Sequence, residues 1–150
     1  MDRDLAAVEA LIAAVRSSRT MSLALVTEGA PAVAAALIGM AVSASGRAAK
    51  TDFHRLARFT STDLLRAHLH SGRTHQIRVH LKALGHVLLG DAIYGWKPDP
   101  RLSSQPARVM LHAEHLVVEH PVTHKPLDLR AAPPKDFAKL VKELRKAAKR

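Results

Sequence analysis

The densest run of chemically capable side chains is His70-Ser71-Gly72-Arg73-Thr74-His75-Gln76-Ile77-Arg78-Val79-His80-Leu81. Arg73 and Arg78 each carry a planar guanidinium fork, which can grip a phosphate or a carboxylate through two parallel N–H bonds. The run also reads as a turn that feeds a helix. A helix N-terminus favours anions, because its first N–H groups lack partners and the peptide dipole is positive there. The chemistry on offer is therefore the holding of an anion. A solvated, basic amphipathic helix accounts for the same spacing equally well.

The elements around this run follow from periodicity. Ile77, Leu81 and Leu84 form an apolar helical stripe, with His75, Arg78 and Lys82 on another stripe. Thr74 is the expected N-cap and Gly85 the left-handed stop. Upstream, residues 51–59 and 63–70 read as a hairpin. In its second strand Leu65, Ala67 and Leu69 alternate with Arg66, His68 and His70, apolar on one face and basic on the other. A basic strand face is thus expected to run directly into a basic helix face.

Further out, Leu5, Val8, Leu11, Ile12 and Val15 predict an amphipathic helix over 4–17. Met21 to Thr27 reads as a strand, with a second short one near 37–42. Residues 86–95 read as a short apolar strand and a Gly-Asp turn. Three prolines in 97–106 mark a surface loop. His115 to His120 pairs naturally with Leu127 to Arg130 across a turn. Phe137, Leu140, Val141 and Leu144 then mark a final helix, about 135–150, with a basic outer side.

The chain has 150 residues, which fits one domain, and shows no internal repeat. With 47% hydrophobic and 24% charged residues it has the composition of a folded chain. It contains no cysteine, which excludes disulfides, thiolate metal sites and thiol nucleophiles. The aromatic residues are Phe53, Phe59, Tyr94, Trp96 and Phe137, too few for a broad base-stacking platform. The net charge of +10 is concentrated in two stretches. Arg66, Arg73, Arg78 and Lys82 have no acidic neighbour between Asp63 and Asp91, and the last sixteen residues are rich in lysine and arginine. Such clustering is the footprint of a polyanion partner.

The N-terminus lacks the order of a signal peptide. The uncharged stretch 29–46 is alanine-rich and broken by Pro31, Gly39, Ser43 and Ser45, so it reads as strand and loop, not as a membrane span. A cytoplasmic monomer without membrane contact is expected. The ten histidines raise the question of a metal. His68 and His70 share a strand face, but His75 and His80 are five apart, and no carboxylate lies between Asp63 and Asp91 to join them. No metal is expected.

The ordered segments Gly72 to Leu81, Leu84-Gly85-His86, Leu88-Leu89-Gly90-Asp91 and Tyr94-Gly95 resemble the signature of the RluA-type pseudouridine synthase family. Met110-Leu111-His112-Ala113, Glu119-His120-Pro121-Val122-Thr123 and Pro126-Leu127 resemble its C-terminal strands, and Leu23-Ala24-Leu25-Val26 an upstream strand. The likeness covers most of residues 20–137. It implies an α+β fold, with a mixed, largely antiparallel sheet flanked by helices, forming the C-terminal part of the catalytic domain. It also implies isomerisation of uridine to pseudouridine in structured RNA, ribosomal RNA first, without cofactor or metal. The target base is flipped out of its stack.

The family uses an Asp nucleophile, an Arg that pairs with it and a Tyr beside the uracil. By motif position Arg78 is the Asp-pairing Arg; a guanidinium there favours the ionised carboxylate. Its replacement by alanine is expected to abolish activity with little loss of fold. The expected RNA contacts are Arg66, Arg73, His75, Gln76 and Lys82, with Lys142, Arg145 and Lys146 on the last helix.

The chain departs from the pattern in two places. Ser22 stands at the position of the family's Tyr. The nucleophile motif, of the form HRLD-x-x-TSG, belongs about thirty residues earlier, which runs past residue 1. His54 to Ser61 resembles that motif, but with Ala57 at the Asp position and within the expected hairpin. Asp52, Asp63 and Asp91 do not replace the nucleophile. His124 stands where the family has a turn glycine. Two readings stay open: the C-terminal part of a longer enzyme, or a non-catalytic RNA-binding remnant.

Overall fold

A computed structural model describes Ala6 and residues 19–27, 33–34 and 49–150. The helix expected over 4–17 lies outside the described residues except for Ala6, which is helical. The strand expected near 37–42 lies outside them entirely. The described chain is α+β. Strands β1 (Arg19–Thr27), β2 (Val33–Ala34), β3 (Thr51–Arg58), β4 (Thr62–Leu69), β5 (Leu111–Glu119) and β6 (Pro126–Arg130) make one sheet in the order β2-β3-β4-β1-β5-β6. Every neighbouring pair is antiparallel. Helix α1 (Gln76–Ala83) follows β4, and helix α2 (Lys135–Ala148) follows β6.

β1 lies inside the sheet and its alternation sorts the core. Ala24 and Val26 join Phe53, Leu65, Ala67 and Leu88 beneath Ile77 and Leu81 of α1. Leu23 and Leu25 join Phe59, Leu64, Leu89 and Met110 beneath Phe137, Leu140 and Leu144 of α2. Each helix therefore docks by one apolar stripe on its own face of the sheet. Full burial of each large apolar side chain contributes about 1.5–3 kcal/mol.

This packing corrects the expected continuous basic surface. Leu65 and Ala67 face α1, so Arg66 and His68, one residue out of phase, point to the opposite face, beside Leu64 and α2. The basic stripes of β4 and α1 are adjacent in sequence but lie on opposite sides of the sheet.

Residues 86–95 do not form the expected strand. Val87 to Leu89 runs beside β1 with a single bridge, Leu88 to Val26, and the chain then turns at Gly90, where φ is +82°. Only four residues separate Gly85 from Gly90, too few to extend a ladder. The segment is nonetheless pinned on both sides: Leu89 N–H donates to Leu25 O at 2.9 Å, and Met110 N–H donates to Leu89 O at 2.8 Å. Asp91 then opens a short 3-10 turn, Ala92–Tyr94.

The β3–β4 hairpin forms where expected, with a bulge between Arg55 and Ala57. The His54 to Ser61 stretch is therefore strand and turn. In the β5–β6 turn His124 adopts φ +56°, the left-handed conformation that a glycine would take without strain. No helix among the described residues is long and apolar enough to cross a membrane.

Candidate functional site

The start of α1 is built on a buried glutamine. Gln76 is 4% exposed, and its amide is fully engaged. Oε1 accepts from Ser71 Oγ at 2.9 Å and from Arg73 N–H at 3.0 Å. Nε2 donates to Lys50 O and to Thr51 Oγ1, both at 2.9 Å. Thr51 Oγ1 in turn lies 3.0 Å from Nδ1 of the buried His80. Gln76 is thus corrected from RNA contact to scaffold: its hydrogen bonds hold the 71–74 turn against the start of β3.

Thr74 is not the N-cap. His75 holds that place at φ +52°, with no side-chain cap. Left-handed backbone costs a non-glycine residue roughly 1–2 kcal/mol, so surrounding contacts must impose it. The Gln76 network fixes one side. On the other, His75 Nδ1 lies 3.1 Å from the Tyr94 hydroxyl, with the two rings edge to face. The result is a tight turn that leaves Arg73, Thr74 and His75 exposed at the head of the helix.

One turn further on, Arg78 meets a carboxylate of this chain. Its Nε donates to Asp91 Oδ2 at 2.8 Å and its Nη2 to Asp91 Oδ1 at 2.7 Å. The Arg78 side chain is 15% exposed and that of Asp91 1%. Cζ of Arg78 also sits 4.9 Å from the centre of the Tyr94 ring, a cation–π contact. The guanidinium hydrogen bonds hold the Asp91 carboxyl below the usual carboxylate range, against the opposing effect of burial. The same bonds push Arg78 further up. Arg78 thus already holds one carboxylate of this chain, in addition to the nucleophile that the resemblance assigns to it. The pair uses only one edge of the fork; among the described residues no hydrogen bond is made to Nη1.

Lys82, one turn beyond Arg78, brings its ammonium to 3.1 Å from where a side chain on Gly95 would begin. His75, Arg78 and Lys82 therefore do share one surface with Tyr94 and Gly95, as the stripe predicts. Arg66, on the other face, is engaged by Glu114 through both carboxylate oxygens. The extra residue at the β1–β5 bulge is Glu114, which turns this carboxylate toward Arg66. Lys142 and Arg145 flank a hollow of about 310 Å³ lined by Leu23, Leu64, Phe137 and Val141. Lys146 is exposed on α2. The expected cationic residues thus form two surfaces, one at α1 and one at α2. Ser22, at the Tyr position of the motif, is buried on β1 and cannot reach out as a tyrosine would.

Sequence reasoning missed Asp91 and Tyr94 as partners of Arg78. The spacing Gly-Asp-x-x-Tyr-Gly was visible, but nothing local shows that the 3-10 turn folds both side chains back onto α1.

The chain is similar to known proteins in sequence and in fold. Residues 23–83, from β1 to the end of α1, match the family model described as RNA pseudouridylate synthase. Over 115 residues the chain is 39% identical to Ribosomal large subunit pseudouridine synthase D of Haemophilus ducreyi, covering 71% of this chain and 35% of that protein. Over 110 residues it is 41% identical to the protein of the same name from Nitrosomonas europaea, covering 71% and 32%. The chain thus spans about one third of the length of these relatives. In fold it is similar to Human RNA Pseudouridylate Synthase Domain Containing 4, with a TM-score of 0.68 at 20% identity over 95% of this chain and 68% of that one. The chain belongs to the RluA-type RNA pseudouridine synthase family.

Proposed function

We propose that this chain supplies the arginine-bearing, RNA-facing part of an RNA pseudouridine synthase, acting on structured RNA and first of all on ribosomal RNA. The observation that carries the proposal is the Arg78–Asp91 pair. Asp91 and Tyr94 hold the guanidinium in one orientation, with the Nη1 edge left over. A guanidinium so fixed can orient a second carboxylate, the nucleophile, and keep it ionised. The nucleophile comes from a segment outside the motifs described above. The reaction then breaks the bond from base N1 to ribose C1′ and rejoins C1′ to C5 of the turned uracil, while the C5 hydrogen leaves as a proton and N1 takes one up. No cofactor or metal enters it. Arg73, His75 and Lys82 contact the RNA backbone around the flipped base, while Lys142, Arg145 and Lys146 neutralise phosphates on the other face. The chain acts as one domain, a monomer in the cytoplasm.

The buried Ser22 favours a second reading, in which the chain keeps the RNA-facing surface without catalysis. One experiment separates the two. Pseudouridine formation in ribosomal RNA is measured with this chain alone and with any upstream in-frame extension. Activity restored by an extension carrying an HRLD-type motif supports the enzyme reading. RNA binding without turnover in both forms supports the remnant.

A further inference from the structure

The hairpin of β3 and β4 brings together three metal-capable side chains that the isomerase reading does not use. Asp52 stands directly opposite His68 in the strand register. His68 lies on β4 and His70 is the first residue after it, two positions on; their ring centres are 4.5 Å apart. One ligand atom from each of the three lies within 4.8 Å of the others. The carboxylate missing from the sequence around the two histidines is therefore supplied across the sheet.

We propose that Asp52, His68 and His70 form a binding site for a divalent transition-metal cation, zinc first. Two imidazoles and a carboxylate are a donor set suited to zinc, which binds nitrogen and oxygen at about 2.0–2.2 Å. Tetrahedral ligands at such bond lengths lie about 3.3 Å apart, so no pair needs to close by more than roughly 1.5 Å. Rotation of two partly exposed side chains suffices: the side chains of His70 and Asp52 are 35% and 26% exposed. In the absence of metal, Asp52 Oδ2 and His70 Nε2 are joined by a hydrogen bond. The cation takes the place of that hydrogen, and any proton displaced leaves to solvent. Water completes the coordination.

The site has a mechanical consequence. His70 N–H donates to Lys50 O at 3.0 Å, and Lys50 N–H donates to Ser71 Oγ at 3.0 Å. A cation at Asp52, His68 and His70 ties β3 to β4 where the chain enters the turn that carries Arg73 and His75. It has no part in the isomerisation itself. The positive charge of Lys50 acts on Asp52 and opposes the cation.

The test uses the untagged chain and zinc or cobalt ions. Calorimetric titration with zinc is expected to show one saturable site of micromolar affinity. Cobalt is expected to give visible d–d bands of mixed nitrogen and oxygen ligation. Asp52→Asn and His70→Ala should each weaken binding at least about tenfold, Lys50→Gln should tighten it, and His112→Ala should leave it unchanged. Should a variant fail to fold, ring resonances of the unaltered chain give the same answer: zinc should move those of His68 and His70 first. Absence of saturable binding overturns the proposal. So does binding that is indifferent to Asp52→Asn and His70→Ala, or zinc shifts spread evenly over the histidines.

Discussion

Arg78 on α1 and Asp91 after Gly90 share two hydrogen bonds, at 2.7 and 2.8 Å, although they lie thirteen positions apart. The carboxylate is almost completely buried and the guanidinium largely so. Removing one member of such a pair leaves an uncompensated buried charge, which typically costs about 3–5 kcal/mol. Because of this pair, the little loss of fold expected from the sequence gives way to a destabilised Arg78→Ala, with a melting temperature lower by on the order of 10 °C. Arg78→Lys keeps the charge but loses the fork, and should fall between the two. Calorimetric melting of the three proteins checks this; an unchanged Arg78→Ala transition overturns the structural role of the pair.

The same pair sets a pH dependence. Asp91 is held below its ordinary value, chiefly by the Arg78 hydrogen bonds. The unfolded state therefore binds protons more readily than the folded one as pH falls. The contribution of the pair is complete above the ordinary carboxylate range near pH 4 and is lost as pH falls through the lowered folded value. Denaturant midpoints measured against pH should show an acid limb that is shallower in Asp91→Asn, once that variant's lower baseline is subtracted.

Gly90 places Asp91. Its φ of +82° strains any other residue, and a Cβ there would lie 2.0 Å from Arg108 O. Neither the backbone of 87–89 nor that of 108–110 can give way easily, because Leu89 and Met110 are hydrogen-bonded to each other and to β1. Gly90→Ala should cost more than about 2 kcal/mol. It should also shift the Asp91 carboxyl away from Arg78, visible as a changed Arg78 Nε–H resonance. Gly72→Ala, with open space around it, serves as the mild comparison.

Much of this is legible in the sequence wherever the relevant interaction is periodic or local. The alternation in β4 and the stripe in α1 identify strand and helix correctly, and with them the placement of His75, Arg78 and Lys82 on one surface. The turn glycines at 85 and 90 mark real changes of chain direction. What the pattern does not carry is the face on which each element docks. Leu65 and Ala67 bind α1, which sends Arg66 to the far side, where Glu114 meets it. Nor does it carry partners from distant strands: Asp52 beside His70, or Lys50 and Thr51 beneath Gln76. Gln76 reads as an RNA contact because a polar side chain at a helix start is usually exposed; only the fold shows that all its hydrogen bonds are spent internally.

Gln76 accordingly yields a prediction of its own. In Gln76→Leu the Arg73 N–H loses its acceptor and Lys50 O keeps only the His70 N–H; each hydrogen bond lost in this way costs about 0.5–1.5 kcal/mol. Amide exchange should accelerate at Arg73 and through the 71–75 turn while protection in β1 remains. RNA affinity should fall with it, because Arg73 and His75 lose their fixed positions. If exchange at Arg73 is unaltered, the network does not hold the turn.

The contribution of α2 to RNA binding needs a substitution rather than a deletion. Removing residues 139–150 takes away Leu140 and Leu144, which are 4% and 6% exposed in the core against Leu23, Leu25 and Leu64. A truncated chain would lose its fold along with its charge. Lys142, Arg145 and Lys146 are exposed, so the triple change Lys142→Gln, Arg145→Gln, Lys146→Gln keeps the apolar stripe and removes only cations. Each phosphate left without its cation should lower the magnitude of the slope of log K against log salt by about 0.7–0.9. With all three side chains on phosphates the slope should flatten by roughly 2 to 3, with melting temperature nearly unchanged. An unaltered slope would mean that RNA stays on the α1 side of the sheet, around His75, Arg78 and Lys82, and that the basic helix serves only the fold.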